Sequence, residues 1–105
     1  ILWGAWQPGV VLQWQAPGGA WTAFRVYRAP AGSAEFALLE ELPVQQEAAA
    51  YRYTDSRLLP GEEYVYRVEG VTAAGNVVLS ETVHGGGAEM LPQVFSIILF
   101  SLGLG

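Results

Sequence analysis

The stretch that most constrains the fold is residues 51–71, YRYTDSRLLPGEEYVYRVEGV, in which two alternating runs flank a tight turn. The turn consists of Leu59, Pro60 and Gly61, and Tyr64 opens the second run. A tyrosine that begins a strand after a corner between two sheets can bury its ring and return its hydroxyl to a nearby backbone group. These residues therefore predict a β-sandwich with a structural corner that Tyr64 locks.

Short alternating runs recur on both sides of this corner. In residues 10–15, Val10, Leu12 and Trp14 fall on one face, which is the period-two pattern of a strand with one buried face. Residues 1–6, ILWGAW, are interpreted either as a first edge strand or as the end of a membrane segment with its tryptophans at the interface. The other predicted strands cover residues 23–28, 36–42, 51–55, 64–71 and 77–83. Turn residues separate these runs every ~8 to 12 residues, which favours an antiparallel sandwich.

The composition limits the classes of function that the chain can have. Its 105 residues suffice for one domain with a single core. A formal net charge of −5 opposes phosphate groups, so we predict no nucleic-acid partner. Cysteine is absent, which excludes disulfides, thiolate metal sites and cysteine nucleophiles.

Several residues occur in the order and spacing of a known domain family. Trp14 is followed by Pro17, and the runs FRVYR at residues 24–28 and LPGEEY at residues 59–64 precede Gly75, which comes before the last predicted strand. This pattern resembles a fibronectin type III domain, in a variant similar to those of bacterial extracytoplasmic proteins. The resemblance implies an all-β, immunoglobulin-like sandwich.

The C-terminal part of the chain has a different character. We predict a sandwich over residues 1–83, a glycine-rich joint over residues 84–88, and an uncharged apolar tail over residues 89–105. Because apolar side chains would cover every side of a helix, the tail predicts a transmembrane helix, although one that is short for a full span. The alternative is an eighth strand, or a tail that packs back on the sandwich. The residues assigned to the membrane or to a partner helix are Leu91, Val94, Phe95, Ile97, Ile98, Leu99, Phe100 and Leu102.

Candidate catalytic groups are few, and structural roles explain them better. His84 is the only histidine and lies in the glycine joint, where it lacks further metal ligands. Asp55 is the only aspartate and follows a predicted strand, where it suits a turn. Adjacent glutamates point apart in a strand or turn, whereas acid–base catalysis needs facing carboxylates. We therefore predict no catalytic residue, no metal site, no cofactor and no small-molecule substrate, and hence no enzyme.

Four side chains are candidates for a protein interface. Arg25, Tyr27 and Arg67 are predicted to face outward on one sheet, in an aromatic and arginine patch of the kind enriched at interfaces. Such a patch is also common on a free sheet face without any partner. Trp21 lies in a predicted loop, where an exposed indole can be a binding hot spot or can cap the end of the core.

Two functions follow as hypotheses. The first is a non-catalytic, membrane-anchored interaction module of bacteria, with its domain outside the cytoplasm. It would stabilise a larger membrane protein complex as an accessory subunit, serving only as scaffold if that complex carries out respiratory or photosynthetic electron transfer. Its partners would be other membrane-protein subunits and, through the tail, the lipid bilayer. The second is an adhesion or carbohydrate-binding module of a secreted or surface protein, with Trp21 and the outward tyrosines as the binding platform.

Overall fold

The structure, a computed structural model, describes residues 9–17, 20–45, 50–87 and 92–99, and these residues build two β-sheets. Their eight strands are β1 (Val10–Gln15), β2 (Trp21–Pro30), β3 (Ala37–Pro43), β4 (Tyr51–Asp55), β5 (Glu63–Thr72), β6 (Val77–Leu79), β7 (Val83–Gly86) and β8 (Gln93–Ile98). The smaller sheet has the order β4-β1-β8. The larger has the order β3-β2-β5-β6, and β7 pairs with β5 beside β6. The predicted all-β sandwich is confirmed, whereas residues 1–6 lie outside the described residues.

The predicted alternation places the core between the two sheets. Val10, Leu12 and Trp14 are buried on β1, and Phe24 is buried on β2. The ring centroid of Trp14 lies 5.9 Å from that of Phe24 and 5.9 Å from that of Tyr51, so aromatic contacts join strands of both sheets. Further members of this core are Val26, Tyr64, Tyr66, Val68, Ile97 and Leu99.

The corner between β4 and β5 has the geometry that the sequence predicts. The ring of Tyr64 is buried, and its hydroxyl oxygen accepts a hydrogen bond of 3.2 Å from the backbone N–H of Leu59. Gly61 adopts a φ of 80°, a conformation that side chains with a Cβ rarely tolerate. The guanidinium carbon of Arg28 lies 4.5 Å from the centre of the Tyr64 ring, which adds a cation–π contact to the corner.

Asp55 is buried beside this corner in a charged cluster. One carboxylate oxygen accepts hydrogen bonds from Arg28 Nη1 at 2.8 Å and from the Tyr66 hydroxyl at 2.7 Å, and the other accepts from the backbone N–H of Arg57 at 3.2 Å. The last bond is the turn contact predicted for this residue. The other two show that Asp55 also pairs with a cation inside the sandwich, which satisfies a carboxylate that is only 2% exposed.

Because of Tyr66, the free energy of unfolding should depend on pH in the alkaline range. Burial, followed by the hydrogen bond to Asp55, raises the pKa of Tyr66 far above its usual 10.0. The unfolded chain would lose this proton above pH 10.0 while the folded chain keeps it, so the free energy of unfolding should fall as the pH rises above that value. For Tyr66→Phe we expect a shallower fall, by up to about 1.4 kcal/mol per pH unit, measured by urea unfolding on both sides of the tyrosine pKa. An unchanged slope in Tyr66→Phe would contradict this account.

The last predicted strand is interrupted, and the predicted joint belongs partly to the sheet. At the end of β6, the Ser80 N–H donates to the Val68 carbonyl at 2.8 Å, and the Ser80 hydroxyl accepts from the Val68 N–H at 2.9 Å. The chain then resumes as β7, in which His84 lies opposite Val65. Residues 84–86 of the predicted joint are therefore strand, because β5 is long enough to pair with both β6 and β7.

The C-terminal tail departs most from the sequence-based expectation. A transmembrane helix over residues 89–105 is wrong for residues 93–98, which form β8 parallel to β1. Ile97 and Leu99 are buried in the core, whereas Val94 and Ile98 are exposed. The strand is favoured because it pairs its backbone groups with those of β1 and because alternate residues of the tail reach the core. Within the described ranges no helix could cross a lipid bilayer. The remaining tail residues Leu91, Phe100 and Leu102 lie outside those ranges.

Gln93 ties β8 to the larger sheet. Its side-chain oxygen accepts a hydrogen bond of 2.9 Å from the Gly86 N–H, and its side-chain nitrogen donates to the Gly86 carbonyl at 3.2 Å. The Gln93 backbone N–H donates to the carbonyl of Gly9 at 2.9 Å, where β1 begins. One residue therefore links β1, β7 and β8 and closes one side of the sandwich.

Candidate interaction surface

An ion-pair network centred on Arg25 lies on the outer face of the larger sheet. Arg25 is opposite Glu41 of β3 and Glu69 of β5. Its Nη1 lies 2.9 Å from a Glu69 carboxylate oxygen, and its Nε lies 3.3 Å from a Glu41 oxygen. The Tyr27 hydroxyl donates to the same Glu69 oxygen at 3.1 Å. Three strands are thus linked across one face by groups whose hydrogen bonds are mutually satisfied.

The same contacts hold these side chains in their ordinary charge states. Hydrogen bonds to Glu69 and then to Glu41 raise the pKa of Arg25. Burial, followed by the hydrogen bond with Glu69, raises the pKa of Tyr27. Arg25 therefore stays positive and Tyr27 stays neutral near pH 7, which suits fixed electrostatic recognition better than proton transfer.

Arg67 lies on the same face and contacts two aromatic rings. Its guanidinium carbon is 5.3 Å from the centre of the Tyr27 ring and 4.2 Å from the centre of the Phe36 ring. Tyr27 is directly opposite Arg67 across the β2–β5 pair, and Phe36 precedes β3. The Nε of Arg67 is buried and has no hydrogen-bond partner among the described residues. Contact with two rings restricts the movement of the guanidinium, and its Nε–H is left without an acceptor.

Exposed aliphatic side chains flank these polar groups. Leu38 lies opposite Tyr27, Leu79 lies opposite Glu69, and Val77 lies opposite Val71, so all three share the outer face. Each is more than half exposed. We call the set of Arg25, Tyr27, Leu38, Glu41, Arg67, Glu69, Val77 and Leu79 the outer patch. The outer patch combines apolar area with oriented charges, a mixture found at protein interfaces.

Trp21 does not belong to the outer patch. Its ring packs on Phe24, with the centroids 5.6 Å apart, and covers Gly70 so closely that a Cβ at that position would overlap the indole. The sheet register shifts between Trp21 and Ala23, which turns the indole inward, onto the end of the core. Of the four candidate residues, the structure thus brings together Arg25, Tyr27 and Arg67, and it assigns to Trp21 the core-capping role.

The comparison with family models agrees with this architecture. The model of the fibronectin type III domain matches residues 4–85, which is most of the 105-residue chain. The chain belongs to this family. Membership indicates a generic protein-interaction module. A search of curated proteins found no match.

The boundaries of the type III match set β8 apart. The match ends at residue 85, within β7, whereas β8 begins at Gln93. β8 is therefore an addition to the matched domain, although two apolar side chains from this part of the chain, Ile97 and Leu99, are buried in its core. The outer patch lies wholly inside the matched part of the chain.

Residues with catalytic or metal-binding chemistry are scattered over this type III domain. In the described part of the chain no three histidine, cysteine or acidic residues lie close enough together to hold a metal ion. His84 is exposed on β7, and the carboxylate of Asp55 accepts hydrogen bonds from Arg28 and Tyr66. That the domain is not an enzyme stays a prediction, supported by the usual role of the family.

Proposed function

We propose that this type III domain is a non-catalytic interaction module that binds a protein partner through the outer patch. The observation that carries the proposal is the combination of three exposed aliphatic side chains with a stacked arginine and an ion-pair network on one sheet face. Apolar area supplies binding free energy, and fixed charges select the partner and its orientation.

The partner would be another subunit of a larger assembly, in which the domain contributes packing and no chemistry. A membrane setting, with the domain outside the cytoplasm, was inferred from the apolar tail. Residues 93–98 of that tail form β8, so this part of the tail does not support a membrane setting. The accessory-subunit proposal accordingly depends on the outer patch.

A photo-crosslinker provides the direct test. A benzophenone amino acid at Leu38 or Leu79, in the protein expressed in its own cells, should form adducts with one and the same protein, because both positions face the proposed interface. Thr54 is the matched control, since it is exposed on β4 of the opposite sheet. Adducts that are as abundant at Thr54 as at the two patch positions would contradict the proposal.

An adhesion or carbohydrate-binding module is the second candidate. The binding platform predicted for it consists of Trp21 and the outward tyrosines. The inward orientation of Trp21 leaves Tyr27 as the aromatic ring of that platform on the outer patch, and its face is occupied by Arg67. The structure therefore favours a protein partner.

A further inference from the structure

Resting on the proposed function, we propose that Arg67 receives an aspartate or glutamate side chain of the protein partner. The outer patch would then recognise a single acidic residue within an otherwise apolar, extended segment. This assigns a binding role to one guanidinium and names the chemistry that it selects.

The first argument is the state of the charges around Arg67. Glu69 accepts hydrogen bonds from Arg25 and Tyr27, and Glu41 is paired with Arg25. Arg67 itself forms no ion pair with a described residue, and its buried Nε lacks an acceptor. The outer patch thus presents one cation, Arg67, without an ion pair in the described part of the chain, and both carboxylates of the outer patch are engaged by other residues.

The second argument is the geometry of the guanidinium. The guanidinium of Arg67 contacts the rings of Tyr27 and Phe36, and these contacts limit its movement before any partner arrives. A planar guanidinium binds a carboxylate through two parallel hydrogen bonds, and less conformational freedom is lost on binding when the plane is already held. Because the Nε atom is buried, the carboxylate would bind through the two Nη groups, which are not among the buried unpartnered atoms.

The third argument concerns the source of the carboxylate. Leu38, Tyr27 and Arg67 form one row across β3, β2 and β5, so an exposed aliphatic side chain lies in the same row as the cation. A free small anion would leave this apolar surface uncovered. Polyanions such as nucleic acids are disfavoured by the net charge of −5. A protein segment with one acidic residue among apolar ones satisfies both conditions.

The test uses two short blocked peptides, one with a central glutamate between valines and threonines and one with glutamine in its place. Binding is followed by NMR through the Nε–H signal of Arg67 in the unmodified protein, and through the backbone N–H signals of Tyr27 and Leu38 in the unmodified protein and in every variant. We expect the glutamate peptide to shift this signal and to bind at least about tenfold more tightly than the glutamine peptide, since charge-assisted hydrogen bonds exceed neutral ones by that order. Raising the ionic strength should reduce the difference.

Two variants separate charge from geometry. Arg67→Gln should abolish the preference for glutamate, whereas Arg67→Lys should keep a reduced preference, because lysine retains the charge but loses the planar fork. Equal binding of the two peptides to the unmodified protein, no binding of either, or a preserved preference in Arg67→Gln would each overturn the proposal. Those outcomes would leave the crosslinks from Leu38 and Leu79 untouched, so the failure of Arg67 as the receptor is distinguishable from failure of the outer patch.

Discussion

Replacement of Ile97 with alanine is expected to lower the free energy of unfolding by about 2–5 kcal/mol, as large-to-small changes in a packed core do. Ile97 is 2% exposed and belongs to the core cluster that both sheets share. The removed methyl and methylene groups would leave a cavity in this core, in which Trp14 of β1 is the pairing partner of Ile97. Urea unfolding of the purified chain, followed by tryptophan fluorescence, measures the change.

The neighbouring isoleucine provides the control for this experiment. Ile98 is 51% exposed, so Ile98→Ala should change the free energy of unfolding by no more than about 0.5 kcal/mol. A strand separates the two positions because successive side chains point to opposite faces. Equal effects at Ile97 and Ile98 would contradict the assignment of β8 to the core and would reopen the helical interpretation of the tail.

The second large effect is expected at the buried carboxylate of Asp55. Asp55→Asn should cost about 3 kcal/mol or more of unfolding free energy, because it keeps the side-chain shape but leaves Arg28 without its counter-charge in a partly buried site. The Tyr66 hydroxyl would also lose its charged acceptor. Thermal or urea unfolding at neutral pH measures the loss.

Two further variants show whether the unpaired charge is the cause. Glu62→Gln makes the analogous change from acid to amide at an exposed position and should alter stability by less than about 0.5 kcal/mol. In Asp55→Asn combined with Arg28→Met, no charge is left unpaired, so the double variant should be more stable than Asp55→Asn alone. A double variant less stable than Asp55→Asn would refute the ion-pair explanation.

Strand alternation and turn residues predicted the features of this fold that depend on residues close together in the chain. The period-two runs identified both faces of β1 and of β5, and the Leu-Pro-Gly turn located the Tyr64 corner. Each of these features depends on residues that are neighbours in sequence or lie on one strand. The outward placement of Arg25, Tyr27 and Arg67 followed from the same alternation.

Features that depend on distant pairing escaped prediction. In the tail, an apolar run of this length is compatible with a helix or a strand, and only the available edge of β1 decides between them. The inward orientation of Trp21 depends on a register shift next to Ala23, which reverses the face that simple alternation assigns. Single-strand patterns contain no signal for either event.

The candidate site was predicted only in part, because several of its contacts depend on the pairing of distant strands. Glu69 follows Arg67 by two residues, so strand alternation places both on one face, but its contact with Arg25 requires the register between β2 and β5. Phe36 lies in the connection to β3 and Glu41 lies in β3 itself, so their contacts with Arg67 and Arg25 depend on how β3 is aligned with β2. Their roles emerge only once three strands are aligned.

The parallel course of β8 beside β1 has a mechanical consequence. Hydrogen bonds close both ends of this pair, from the Gln93 N–H to Gly9 and from the Leu99 N–H to Gln15. Tension applied between Gly9 and Leu99 pulls the two strands past each other along their length, so every rung of the ladder carries the load simultaneously. An antiparallel hairpin pulled from its two ends would instead open one rung at a time. The appended strand therefore gives the domain a pair of strands that resists tension between Gly9 and Leu99 in shear.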